Sequence, residues 1–178
     1  MNDAAGAILG PWSNFFVIAG SAAAALTGLM FVVVTLISND ARRRSPDGVH
    51  TYSSPTVAHF AAALFVAAML SMPWRTMLGP EVLLAAAGLG GIAYLARVIQ
   101  RARKLTHEYT PDVEDRLWYS AFPLVAYGAL AVAAVLLVVV PGDALFAVAL
   151  GVLLLIFIGI HNSWDVVTYL ATNPSDPD

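Results

Sequence analysis

The chain contains no cysteine. Disulfides, thiolate metal sites, iron–sulfur clusters and a cysteine nucleophile are excluded with it. Charge is scarce as well. Asp, Glu, Lys and Arg supply 12% of the residues, about half the share usual in soluble domains. The net charge of −3 hides no basic tract flanked by stacking aromatics, so nucleic acid is not an expected partner. The start, MNDAAGAILGPWSNFF, lacks the basic n-region of a secretory signal peptide. The string VIAGSAAAA has the small residues of a cleavage site, but the apolar run continues to Ile37 and reads as a mature span. Asn2-Asp3-Ala4 offers no myristoylation signal. No Ser–His–Asp order, paired-carboxylate site or zinc signature occurs. The GLGG string at Gly88–Gly91 has no strand before it and no phosphate-loop context. Neither an enzyme nor a bound cofactor or metal is expected.

What the chain does have is apolar residues, 59% of the total, gathered in blocks. Blocks of about 18 or more with few charges read as membrane-spanning helices. The expected fold is all-α: one polytopic transmembrane domain over the whole chain. Five spans are expected at about 14–37, 56–78, 81–99, 117–140 and 143–165. At 1.5 Å per residue each reaches across a hydrocarbon core of about 30 Å, the third with little tilt. Connections are expected at 39–55, at Leu78-Gly79-Pro80, at 100–116 and at Pro141-Gly142-Asp143. Ser45-Pro46-Asp47-Gly48 carries a turn signal, and Ser54-Pro55-Thr56 places a proline where a helix tolerates it, in the first turn. Pro123 lies inside the fourth span. It removes a backbone donor and predicts a kink or a local partner near Tyr119.

The nine basic residues are distributed unevenly. Arg42, Arg43 and Arg44 belong to the first connection, and Arg97, Arg101, Arg103, Lys104 and Arg116 to the third. The positive-inside rule makes those two connections cytoplasmic. The N-terminus is then outside and the C-terminus inside. The remaining one, Arg75, sits with Pro73 and Trp74 at the outer end of the second span and reads as an interfacial anchor.

The first span carries a seam. Asn14, Ser21, Gly28 and Thr35 follow one another at intervals of seven, and Asn39 extends the line. Each step of seven drifts only about 20° around a helix, so the four share a face. Gly20, Ala24 and Gly28 repeat every fourth residue, the spacing that admits a neighbouring membrane helix; Ala87 and Gly91 are likewise four apart in the third span, where Gly88 and Gly91 are expected to serve close helix packing. Such a seam is expected to face protein or water, either as a packing surface or as the lining of a hydrated path.

Ionisable residues at membrane depth are few. His59 lies about one turn into the second span, and His161 and Asp165 lie four apart near the end of the fifth. With Thr35 and Asn39 they converge on the cytoplasmic half and form a candidate polar cluster. A snorkelling pair at the interface is the plain reading of His161 and Asp165, with Trp164 and Tyr169 as belt aromatics. A proton or ion relay is the functional one, because imidazole titrates near neutral pH. His59 and His161 as haem ligands, or with Asp165 as metal ligands, are weaker alternatives.

Phe15, Phe16, Val17, Gly20, Ala22, Ala24, Gly28, Leu29, Phe31 and Val32, with Asn162 and Trp164 near the end, form a recognisable pattern. It resembles a family of small bacterial five-span membrane proteins often labelled modulators of the FtsH membrane protease. The likeness implies the span count and a bacterial cell membrane; it carries over no catalytic residue. Two function classes follow. One is a homo-oligomer that conducts a small ion or solute along the first-span seam, gated by the polar cluster. The other is a membrane-embedded regulator or structural partner whose seams bind other helices. A redox or metal enzyme is a remote third.

Overall fold

The computed structural model describes residues 4–44, 46–105 and 113–172, and all regular structure among them is helical. A short helix α1 (Ala4–Leu9) runs through the 3-10 turn Gly10–Trp12 into α2 (Ser13–Arg44). Then follow α3 (Pro46–Leu70), α4 (Leu78–Leu105), the single turn α5 (Val113–Arg116), α6 (Phe122–Leu136) and α7 (Pro141–Thr172). Among the described residues, four stretches are long and apolar enough to cross a membrane: Ala5–Val33, Leu78–Arg101, Val113–Leu136 and Pro141–Thr168. The second expected span is a helix too, but its apolar part, Pro55–Leu70, is shorter than the other four.

Several boundaries differ from expectation, and prolines explain most of them. Much of the 39–55 stretch, expected as a loop, is helical: α2 continues through Arg44 and α3 begins at Pro46. Proline is preorganised for a first helical position, where its missing donor costs nothing. Pro55 consequently falls inside α3 rather than at its start. The expected turn at Leu78-Gly79-Pro80 is instead the first turn of α4. The chain reverses earlier, over residues 71–77, because Pro73 disfavours a helical Met72. Trp74 closes that turn: its Nε1 donates to the Met69 carbonyl at 2.7 Å, and its ring lies over Gly79. Likewise the expected turn Pro141-Gly142-Asp143 is instead the start of α7, and the reversal occupies residues 137–140. Arg75 is exposed in the 71–77 turn.

The helix is locally disturbed before Pro123. Residues Leu117–Ala121 form a π turn, in which the Phe122 N–H reaches back five residues to the Leu117 carbonyl. A widened turn there accommodates the donor missing at Pro123.

The bundle is organised around α7. It packs along α3 and α6 and touches α2; α2 lies mainly on α3, and α4 lies on α6. The most apolar window of α7 is 56% buried, against 28% for that of α2 and 17% for that of α4, so α7 is the inner helix. Small residues set the close approaches. A Cβ on Gly88 would come within 2.5 Å of the Ala131 backbone nitrogen. One on Gly91 would enter the Tyr127 ring, and one on Gly159 the Phe60 ring. One on Gly151 would meet Leu130 and the Ala126 carbonyl at 3.1 and 3.2 Å. Between apolar helices in lipid, such contacts contribute packing energy that hydrophobicity cannot, since lipid tails are as apolar as leucine.

Two ends can be told apart. One carries the α2–α3 and α4–α5 connections and is called the basic end. The other carries the 71–77 and 137–140 reversals. Gly88→Ala is expected to lose about 1–3 kcal/mol, because the neighbour at that point is backbone and cannot rotate away. Gly28→Ala, which meets nothing within 4 Å, should stay within about 0.5 kcal/mol of wild type. Thermal unfolding in detergent, followed by tryptophan fluorescence, checks both.

Candidate functional site

Polar side chains inside an apolar bundle are costly, so their placement is informative. Among the described residues, the fully buried polar side chains are Thr56, His59 and Asn162, with Tyr127 beside them. All belong to α3, α6 and α7. His59 Nδ1 lies 3.0 Å from the Tyr127 hydroxyl, a buried hydrogen bond that ties α3 to α6. The Tyr127 ring in turn fills the space left by Gly91 on α4. One side-chain bond thus links three helices. Tyr127 is absent from the residues that the sequence singles out, although it is a phenol in the apolar middle of its span, away from the interfacial Trp118 and Tyr119, and that is the signal that could have found it.

Asn162 differs from the other three. Its side chain is fully buried, and neither Nδ2 nor Oδ1 has a hydrogen-bond partner. A dry, unpaired carboxamide costs about 1–3 kcal/mol for each unsatisfied group. Its direction follows from helix geometry. At about 100° per residue, Asn162 lies about 20° around α7 from Gly151, which faces α6, and about 60° from Gly159, which faces α3. It therefore aims at the junction of the three helices. Thr56, by the same arithmetic, lies between the directions of His59 and Phe60. Since Phe60 packs on Gly159 and α3 and α7 run oppositely, one turn towards the basic end brings Thr56 and Asn162 to one level.

A second cluster surrounds His161, the residue before Asn162 on another face of α7. Trp118, from the π turn, stacks face to face on the imidazole with ring centroids 3.8 Å apart and planes 6° from parallel. Glu114 Oε1 lies 3.5 Å from Nε2, and Asp165 Oδ2 lies 3.2 Å from Nδ1. The Asp165 approach is close enough for charge attraction but lacks hydrogen-bond geometry. When protonated, the ring is held between two carboxylates and an aromatic face, which fixes α5 and the π turn against α7. On the next face Ser163 donates to the Gly159 carbonyl at 2.6 Å and contacts Met30 Sδ of α2 at 3.0 Å.

The expected cluster of His59, His161 and Asp165 is thus two groups. The second group does not converge on a point where a metal could sit, because the imidazole stands between its carboxylates. Among the described residues no set of three His, Asp or Glu is placed to hold a metal ion.

The seam is placed differently again. Asn14, Ser21, Gly28 and Thr35 are all exposed on the outer side of α2, and so is Ala24. Asn39 lies outside the described side chains. The face that α2 turns to the bundle is instead Phe16, Ala19, Gly20, Ala23 and Met30, with Gly20 fitting Ala67 of α3. Gly20, Gly88 and Gly91 lie at close helix contacts, whereas Ala24 and Gly28 are open to the outside. Thr35 satisfies its hydroxyl proton on the Phe31 carbonyl at 2.7 Å.

The class this architecture defines is an all-helical protein with helices fit to cross a membrane. No protein-family model, curated protein or solved structure matches the chain.

The His59–Tyr127 bond generates a measurable expectation. In a double-mutant cycle, His59→Leu and Tyr127→Phe should couple by about 1 kcal/mol, and Tyr127→Phe alone should cost a similar amount. Unfolding in mixed detergent micelles reads both.

Proposed function

We propose that the protein is a five-span protein of the bacterial cell membrane, with its N-terminus outside and its C-terminus inside. In this reading it assembles with copies of itself through α2, and the assembly forms a path for a small ion or solute. The observation that carries the proposal is the outward exposure of Asn14, Ser21, Gly28 and Thr35. Their 21-residue separation corresponds to about 31 Å of helix, close to the thickness of a hydrocarbon core. A helix that offers these groups to lipid loses dispersion contacts and leaves the Asn14 carboxamide unsatisfied. A second copy, or water held between copies, relieves both costs. The fifth span is Pro55–Leu70 extended towards the basic end, and the basic residues orient the whole. No catalysis is part of this reading.

A second reading has its own support. Ala22, Ala24 and Ala25 are exposed beside Gly28, and so small a surface admits a foreign helix as readily as a copy. The protein would then be a regulator or structural partner of another membrane protein, in keeping with the resemblance to the labelled protease modulators.

Single cysteines at Ser21, Gly28 and Thr35, read with a membrane-impermeant thiol reagent in intact membranes, separate the readings. The background is zero, since the chain has no cysteine, and the reactive species is the thiolate. Conduction predicts labelling at Ser21 and Gly28, and ion flux in liposomes that such labelling blocks. Unlabelled positions in folded protein, with flux equal to that of empty liposomes, would leave a dry packing seam and favour the regulator.

A further inference from the structure

We propose that the junction of α3, α6 and α7 is an internal hydration site, in which water bonded to the Asn162 carboxamide opens His59 to protons from the basic end. The proposal concerns the interior of one protomer and stands whether or not α2 assembles with anything.

Three observations converge. The fully buried polar residues Thr56, His59 and Asn162 lie on α3 and α7, which pack together, and His59 is bonded to Tyr127 of α6, although the described helices are apolar over most of their length. Asn162 is wholly buried with both polar atoms unpaired and aimed into that junction. A group of that kind is the usual anchor of a buried water, which typically makes two to four hydrogen bonds. The residue preceding Asn162 in α7 is His161, whose cluster with Asp165 and Glu114 is only part-buried, with 22% of the imidazole exposed. Polar groups therefore run from a half-exposed set at the basic end, through Asn162, to the buried His59–Tyr127 bond.

The ligand chemistry follows from the side chains. A carboxamide, two hydroxyls and an imidazole provide donors and acceptors without a carboxylate, which suits neutral water better than a metal cation. Asn162 takes up no proton; it holds the water. His59 has one ring nitrogen bonded to Tyr127 and a second to receive a proton. When the water passes a proton to that nitrogen, the imidazole becomes imidazolium and the water regains a proton from the side of His161 and Asp165. On release the same steps run backwards, so protons balance throughout.

The test is solid-state NMR of the full chain in lipid bilayers, with labelled Asn and His assigned through Asn162→Leu and His59→Gln. Magnetisation transferred from water should reach the Asn162 side-chain amide and should not reach the methyls of Val148 and Leu155. Exchange of the His59 ring proton with deuterated buffer should slow about tenfold or more in Asn162→Leu, with His161 exchange unchanged. An Asn162 amide that receives nothing from water overturns the proposal. So does a His59 exchange rate that Asn162→Leu leaves alone. If Asn162→Leu does not fold, the wild-type water transfer decides. Stability gives an independent arm: a dry, unpaired amide predicts that Asn162→Leu raises the unfolding temperature, whereas a bonded water predicts that it falls.

Discussion

Backbone approach at small residues is the constraint on which the rest of the bundle depends. Lipid supplies no driving force for burying leucine against leucine, so the helices are held by how closely they fit. Gly151 and Gly159 let α6 and α3 come down onto α7. Gly88 and Gly91 let α4 come down onto α6, and the space at Gly91 is what Tyr127 fills. From that position the phenol reaches His59. The polar junction is thus a consequence of the glycine contacts, and enlarging any of them would move the groups that meet there.

The same logic divides the small residues of α2. Gly20 fits α3, and Ala19 and Ala23 are buried in the bundle beside it, whereas Ser21, Ala24, Ala25 and Gly28 are exposed on the outer side. Two small faces on one helix are more than the protomer uses. The proposed assembly takes its support from this surplus.

The helical class and the apolar blocks were legible in the sequence, because composition and the length of apolar runs report directly on helices fit to cross a membrane. Pro123 pointed to a kink or a local partner near Tyr119, and the form the disturbance takes, a π turn over Leu117–Ala121, was not legible in the sequence. Nor were turn positions. Pro46, Pro80 and Pro141 each carried a turn signal and each lies in the first turn of a helix, which a proline tolerates equally well. The orientation of the α2 seam was illegible for another reason: periodicity shows that Asn14, Ser21, Gly28 and Thr35 share a face but not which way it points. The polar cluster failed on rotation as well. Equal depth suggests that His59 lies beside His161, whereas the helix faces send His59 to Tyr127 and His161 to Trp118 and Glu114. The burial of Tyr127 and Asn162 depends on partners far away in the chain, which no local pattern reports.

The central claim is that α2 has an outer face made for another helix of the same kind. Counting subunits by single-molecule photobleaching, in vesicles dilute enough to hold one particle each, tests it most directly. The account predicts two or more copies per particle for the wild type and single copies for Gly28→Leu, with both proteins equally folded. Single copies of the wild type at every protein-to-lipid ratio would contradict it.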